Sequence, residues 1–150
     1  MARLIYIPLL FLFIACTLDS RQEEKLNVAF QDYVKAYNED LMLQYVALTH
    51  VKVVAHYKAK SEEEFVQHFQ KPKTDSLKAY YGDYLAKDTK ESGNYIQRCY
   101  TIEKYTEFKE IDPEYRIYAC SEDKGKTWFF INEDDYFDLT IPLKKRLFKK

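Results

Sequence analysis

The fold is decided by a strand-like stretch in the second half of the chain, residues 95–108, which read YIQRCYTIEKYTEF. This stretch is rich in aromatic and β-branched residues, the types that favour β-strands. Similar stretches cover residues 77–85, 115–120 and 127–132. Turn-forming residues separate them at Ser92-Gly93-Asn94, Asp112-Pro113 and Asp123-Lys124-Gly125. Such short connections predict antiparallel hairpins instead of crossovers.

The first half of the chain has helical periodicity. Between residues 26 and 48 one apolar stripe comprises Phe30, Tyr33, Val34, Tyr37 and Leu41, a spacing typical of an amphipathic helix. Residues 38–40 are expected to break this helix, with Asp40 capping a second one from Leu41. Ser61-Glu62-Glu63-Glu64 has the pattern of a capping box, which predicts a short helix that ends before Pro72.

Helices followed by a meander of strands predict an α+β domain with helices on one face of an antiparallel sheet. The chain also resembles the NTF2-like (cystatin-like cone) family, and in particular NTF2-like lipoproteins of Gram-negative bacteria. The resemblance covers most of residues 27–143. It rests on residues 32–38 (DYVKAYN), Asp40, residues 45–49 (YVALT), residues 53–57 (VVAHY) and residues 126–131 (KTWFFI). It implies N-terminal helices packed on a curved antiparallel meander sheet and an envelope location, but no reaction.

Composition bounds the class of protein. The chain has 150 residues, of which 47% are apolar and 31% charged, with a formal net charge of −1. The length is enough for one folded domain. The high apolar content and the low net charge argue against disorder. The three glycines are isolated, which excludes phosphate-binding loops and dinucleotide fingerprints.

The N-terminus resembles a bacterial lipoprotein signal. Arg3 precedes an uncharged run from Leu4 to Ala15, which is too short to span a bilayer but typical of a secretory signal. The run ends in Phe13-Ile14-Ala15-Cys16, which resembles a lipobox, so residues 1–15 are predicted to be the signal peptide. By that resemblance Cys16 is the lipidated N-terminus; the alternative is an ordinary signal peptide with an incidental cysteine.

The rest of the chain is expected to form three segments that differ in composition and charge. We expect a polar tether over residues 16–25, an NTF2-like domain over 26–143 and a basic tail over 144–150. All 24 acidic residues precede residue 139. The tail is expected to be solvated; contact with anionic lipid or an acidic partner is the alternative. An exported, slightly acidic protein is not expected to bind nucleic acid.

The two other cysteines, Cys99 and Cys120, allow a disulfide in an oxidising compartment. A turn at Asp112-Pro113 would place Cys120 opposite Tyr105, too far from Cys99 for a bond. A turn centred near Lys109-Glu110 would bring the two cysteines together. Both arrangements remain open at the sequence level.

One sequence motif is well defined. Residues 121–128 (SEDKGKTW) match the Asp-box, S-x-D-x-G-x-T-W, at Ser121, Asp123, Gly125, Thr127 and Trp128. The motif resembles that of the sialidases, but a chain of this length cannot hold a multi-bladed propeller. It therefore predicts a structural hairpin turn.

Candidates for chemistry are weaker. The spacing of His50, His56 and His68 does not match a zinc helix, and the acidic cluster Glu133-Asp134-Asp135 with Asp138 lacks the pattern of a calcium loop. No metal or other cofactor is expected. Some NTF2-like proteins resemble ketosteroid isomerase, with a carboxylate base beside a tyrosine. Here the candidate bases are Asp32 and Asp40, with Tyr33, Tyr37 or Tyr100 as the tyrosine.

These observations predict a lipid-anchored protein of the cell envelope, at the outer membrane in preference to the inner. Its expected role is a non-catalytic binding or structural module whose partner is an envelope protein or a small apolar ligand. One alternative is a small isomerase- or hydrolase-like enzyme with a cone pocket. Another is an inhibitor-like protein that binds a second envelope protein through its aromatic surface.

Overall fold

A computed structural model describes residues 18–74 and 77–150, and it has α+β architecture. Helices precede the sheet and pack against it, as predicted. The helices are α1 Ser20–Asn38, α2 Met42–Leu48, α3 Val51–Lys60, α4 Glu62–Phe69 and α5 Glu133–Phe137; the strands are β1 Ala79–Ser92, β2 Tyr95–Thr106, β3 Glu110–Ser121 and β4 Phe129–Asn132.

The four strands form an antiparallel meander in the order β1-β2-β3-β4. Register shifts interrupt the β1–β2 and β2–β3 ladders, and such bulges increase local twist and bending. The sheet is curled and not closed. Thr49 forms an isolated bridge to Phe130 at the β4 edge, so the segment between α2 and α3 covers that edge.

The β2–β3 hairpin turns earlier than the sequence suggests. Of the two turns that the sequence left open, Asp112-Pro113 is wrong, because both residues lie within β3. The chain reverses between Thr106 and Lys109, close to the alternative turn near Lys109-Glu110. Pro113 falls where two β3 residues oppose Glu103 of β2. A bulge leaves a residue unpaired, so the missing N–H of Pro113 is tolerated there. The Asp-Pro pair therefore lies inside a strand, although it is a typical turn sequence.

Helix α1 begins inside the predicted tether. Asp19 caps it through a capping box, in which the Asp19 carboxylate accepts from the Gln22 N–H and the Gln22 side chain accepts from the Asp19 N–H. Glu23 pairs with Arg98 of β2. Residues 20–25 are therefore part of the folded body, because capping and contacts to the sheet offset their polarity. The predicted signal peptide and Cys16 lie outside the described residues.

The later helices differ from prediction in two details. Asp40 does not cap α2, whose N-cap is Leu41 without a side-chain hydrogen bond; Asp40 instead adopts a φ of +56°. Ser61 does cap α4, accepting from the Glu64 N–H. Helix α3 lies where the sequence analysis placed no separate helix.

The core between helices and sheet is aromatic. The Phe30 ring stacks on Tyr100 with centroids 3.9 Å apart, and it also contacts Phe130 at 5.5 Å. Tyr33 packs against Phe130 at 4.9 Å. All four side chains are buried, so large rings fill the centre of the domain.

A second core covers the opposite face of the sheet. Tyr118 of β3 stacks on Tyr136 of α5 at 3.9 Å and contacts Phe148 at 5.3 Å. Gln97 donates to the Lys145 carbonyl and accepts from the Leu147 N–H. The predicted solvated tail over residues 144–150 is therefore only partly so: its four lysines are exposed, but Phe148 packs on the sheet.

Candidate ligand-binding site

A cavity of about 180 Å³ opens where the end of α1 and α4 meet the first two strands. Its walls combine aromatic and apolar side chains with a polar rim. The described lining residues are Ala36, Tyr37, Asp40, Tyr45, Gln67, His68, Phe69, Gln70, Lys71, Pro72, Leu77, Ala79 and Lys104.

Two side chains at the C-terminal end of α1, Asn38 and Asp40, position the segments around the cavity. The Asn38 amide donates to the Tyr81 carbonyl and accepts from the Tyr81 N–H, both at 2.8 Å, which pins the helix end to β1. The Asp40 carboxylate accepts from the Lys71 N–H at 2.9 Å. The left-handed backbone at Asp40, a conformation that aspartate tolerates, aims this carboxylate and thereby holds the segment that carries Lys71.

Lys71 brings a cation to the cavity. Its Nζ donates to the Asn38 carbonyl at 3.2 Å and lies 3.7 Å from the ring centroid of Tyr80 and 4.7 Å from that of Tyr37. Burial lowers the pKa of Lys71 to about 8, even though the nearby Asp40 carboxylate favours the charged form. This ammonium is partly desolvated and close to its titration range at neutral pH.

A second cation lies on the sheet side. Lys104 of β2 lines the cavity, and its Nζ lies 4.1 Å from the ring centroid of Tyr115. Tyr115 is buried and donates its hydroxyl to Asp134 of α5 at 3.0 Å. The cavity therefore combines two ammonium groups with aromatic faces, and Asp40 is the carboxylate at its described rim.

His68 connects the cavity to a buried carboxylate. Its Nε2 lies 2.9 Å from Oδ2 of Asp135, a residue that is only 3% exposed. The Asp135 carboxylate also accepts from the Tyr57 hydroxyl at 2.9 Å and from the Asn132 amide at 2.8 Å. The Tyr57 ring stacks on His68 at 3.6 Å. These contacts fix the orientation of the imidazole.

Tyrosines fill the space behind the cavity. The hydroxyls of Tyr33 and Tyr45 are 3.1 Å apart and buried, and burial raises the pKa of both groups. Burial also raises the pKa of Tyr37 to about 12. These phenols are neutral at physiological pH, so they serve as hydrogen-bonding groups in and behind the cavity lining.

The structure brings one of the predicted isomerase-like pairs to the same cavity. Asp32 is exposed on α1 and lines a separate open groove with Trp128. The hydroxyl of Tyr100 is buried without a hydrogen-bond partner. Of the predicted candidates, Asp40 and Tyr37 share the cavity, but Asp40 is exposed and engaged with the Lys71 backbone.

The histidines are dispersed. His50 accepts from the Lys52 N–H and lies 3.4 Å from Glu122, and burial lowers the pKa of its imidazole. His56 lies against Tyr57. Within residues 18–74 and 77–150, no group of three or more histidine, cysteine, aspartate or glutamate side chains is arranged to hold a metal ion.

Cys99 and Cys120 are free thiols, so the disulfide that the sequence allows is not formed. Their strands pair so that Cys99 lies opposite Tyr118, and Cys120 opposite Gln97. The cysteines are therefore diagonal neighbours on one face, at a spacing too wide for a disulfide. Burial raises the pKa of both thiols.

The Asp-box residues form a turn. The Ser121 hydroxyl accepts from the Gly125 N–H at 2.8 Å, and the Asp123 carboxylate accepts from the Thr127 N–H and hydroxyl. Gly125 has a φ of +78°. Trp128 is buried. The motif shapes a turn that docks on α1, because Gln22 donates to the Lys124 carbonyl at 2.6 Å.

Sequence reasoning missed Lys71, Lys104 and Asp135 as site residues. Lys71 follows a helix that the capping box predicts, but Asp40 and Asn38, whose groups it contacts, lie 31 and 33 residues earlier in the chain. Asp135 was assigned to an acidic cluster that lacks the pattern of a calcium loop. The available signal was its position three residues after Asn132, whose side chain accepts from the Asp135 N–H as an N-cap.

No protein-family model matches the chain, and no curated protein or solved structure is significantly similar to it. None of the helices in the described part of the chain combines the length and apolar character needed to cross a bilayer.

Proposed function

We propose that this chain is a lipid-anchored binding module of a Gram-negative cell envelope, built on an NTF2-like fold and without catalytic activity. The lipobox-like segment ending at Cys16 supports the anchor. The α+β architecture with its open, curled sheet supports the fold. The cavity beside Lys71 supports the binding role and is the observation on which the proposal rests.

The cavity suits a small organic anion. Its volume of about 180 Å³ is close to that of a cavity of about 150 Å³ that accommodates benzene. Lys71 and Lys104 supply positive charge, while Tyr37 and Phe69 supply an apolar wall. The ligand class is therefore a carboxylate with one ring or a short aliphatic chain.

A matched panel of ligands tests this role. Carboxylates such as benzoate, cyclohexanecarboxylate and hexanoate are compared with their uncharged amides by calorimetry and thermal shift. We expect the carboxylates to bind and the amides to bind far more weakly. Lys71→Met is expected to weaken carboxylate binding about tenfold or more, because a charged hydrogen bond is lost.

Lys87→Met is the control, since Lys87 is exposed on β1 and does not line the cavity. It removes the same charge from the molecule. Equal loss of binding in the Lys71 and Lys87 variants, or equal binding of acids and amides, would contradict the proposal.

The anchor has its own test. Expressed with its signal in a Gram-negative host, the wild-type chain is expected to incorporate labelled fatty acid and to partition into detergent. Cys16→Ser is expected to remove both properties, because acyl chains provide the membrane affinity. Unchanged partitioning of the variant would contradict lipid anchoring.

A second candidate is acid–base catalysis on a carbonyl compound. It is favoured by one observation: His68 lines the cavity and is oriented by the buried Asp135 carboxylate, as catalytic histidines commonly are. The described cavity lining includes no serine, threonine or cysteine, so proton transfer suits this site better than nucleophilic hydrolysis.

Deuterium exchange tests the catalytic candidate. Small ketones are incubated with the protein in deuterated water, and exchange beside the carbonyl is followed by NMR. Catalysed exchange that disappears in His68→Gln would establish the enzyme and contradict the non-catalytic proposal. Exchange no faster than in buffer would contradict the enzyme.

A further inference from the structure

A basic surface surrounds the beginning of α1. Four cations line a shallow, open groove of about 410 Å³ together with Asp19, Gln22 and Gly125. All four side chains are exposed; they are Arg21, Lys25, Lys124 and Lys126. We call these four residues the basic face.

The fold assembles this face from two distant segments. Arg21 and Lys25 stand one turn apart on α1 and so share a side of the helix. Lys124 and Lys126 flank Gly125 in the Asp-box turn. The hydrogen bond from Gln22 to the Lys124 carbonyl holds the turn against the helix, so the four charges have a fixed arrangement.

Two exposed carboxylates, Glu24 and Asp32, line the neighbouring groove with Lys25 and Lys126, and the other three nearby are engaged elsewhere. Asp19 caps α1 through the Gln22 N–H, Glu23 pairs with Arg98, and Asp123 binds Thr127. Within the described part of the chain, the basic face takes part in none of the ion pairs. Its positive charge is therefore available to an external partner.

The proposed lipid anchor at Cys16 indicates which partner the basic face contacts. Only two residues separate Cys16 from Asp19, and the three residue steps between them span at most about 11 Å. A lipid attached to Cys16 would therefore hold the start of α1, and with it the basic face, close to the headgroups. Val28 is 55% exposed and continues the side of α1 formed by Arg21 and Lys25, which adds an apolar contact.

We propose that the basic face rests on anionic phospholipid headgroups and orients the anchored domain on the membrane. This inference rests on the proposed anchor at Cys16. Each cation near an anionic membrane surface contributes about 1 kcal/mol, or roughly fivefold in affinity. The surface thereby acts as a second membrane contact besides the acyl chains.

Vesicle sedimentation of the unlipidated Cys16→Ser chain tests this surface separately from the anchor. We expect binding to vesicles of equimolar phosphatidylcholine and phosphatidylglycerol, and little binding to phosphatidylcholine alone. Binding should weaken as salt is added, because exposed charges are screened. Replacing all four cations of the basic face by glutamine should reduce the affinity by roughly two orders of magnitude or more.

The control replaces four exposed lysines elsewhere by glutamine: Lys73, Lys87, Lys149 and Lys150. It changes the net charge equally and includes two lysines of the C-terminal tail. An equal loss of vesicle binding in the control, or no preference for anionic vesicles in the parent chain, would overturn the proposal. Neither result would bear on detergent partitioning of the lipidated wild type, which reports the anchor alone.

Discussion

At the scale of single residues, the buried aromatic rings carry most of the packing. Phe30 is fully buried and contacts the rings of Tyr100, Tyr84 and Phe130. Its position in the helical stripe predicts burial, since the stripe repeats with helical period. The identity of its partners follows from the curl of the sheet, which the sequence pattern does not encode.

Phe30→Ala should destabilise the protein by about 3–5 kcal/mol, because it removes a ring from a close-packed core and leaves a cavity. The free energy of unfolding in urea measures the effect. Val28→Ala is the control on the same helix, since Val28 is 55% exposed; it should change stability by less than about 0.5 kcal/mol. Similar losses in both variants would contradict this account of the core.

At the scale of elements, local signals were predictive and long-range ones were not. The Ser61 cap and the Asp-box turn depend on residues within a few positions, so their spacing in the sequence was sufficient. The β2–β3 turn was displaced by the bulge at Pro113, which depends on pairing with Glu103. The packing of the tail depends on Gln97 and Tyr136, which lie 48 and 12 residues from the tail residues that they bind.

The cavity illustrates the same limit. Asp40 and Tyr37 were candidates because of their residue types and helical position. Lys71 and Lys104 were not, because ordinary lysines in a charged chain are usually solvated. Their functional environment arises only when α4, the segment after it and β2 meet at the end of α1.

The Asp-box turn yields a paired glycine prediction. Gly93→Ala should cost about 1 kcal/mol, because Gly93 has a φ of +62° and open space around it. Gly125→Ala should cost about 2 kcal/mol, because its φ is +78° and the new methyl group would meet the Gln22 amide at 2.9 Å. That contact disturbs the hydrogen bond between Gln22 and Lys124, worth about 1 kcal/mol.

Urea unfolding of the two variants provides the comparison. A cost at Gly125 equal to or below that at Gly93 would contradict the docking of the turn on α1. In a Gln22→Ala background the additional cost of Gly125→Ala over Gly93→Ala should disappear, because the amide that the new methyl group meets is gone.

At the scale of the whole molecule, buried tyrosines make the fold sensitive to alkali. Burial raises the pKa of Tyr37, Tyr100 and Tyr136 from 10.0 to about 12. Between these values the unfolded state loses phenolic protons while the native state keeps them, so stability falls as pH rises. The lowered pKa of Lys71 makes stability rise with pH between about pH 8 and 10.5. This gain comes from one group, whereas several tyrosines contribute to the loss.

Stability should therefore decline from about pH 10 to about pH 12, with tyrosinate absorbance appearing together with the loss of circular dichroism. Tyr100→Phe should reduce this slope without loss of stability at neutral pH, because its buried hydroxyl has no hydrogen-bond partner. Tyr105→Phe is the control, since Tyr105 is 38% exposed. If stability fell equally steeply with pH in the wild type and in both variants, the contribution assigned to buried Tyr100 would be contradicted.

The central claim is that the cavity beside Lys71 binds a small organic anion, and amide-resolved NMR with benzoate tests it most directly. We predict saturable shifts confined to the lining of the cavity, including Gln70, Lys71, Ala79 and Lys104. Affinity should fall as pH rises through about 8, where Lys71 loses its proton, and Lys71→Met should weaken binding at lower pH. Shifts that do not saturate, that lie outside the cavity or that persist unchanged in Lys71→Met would contradict the claim.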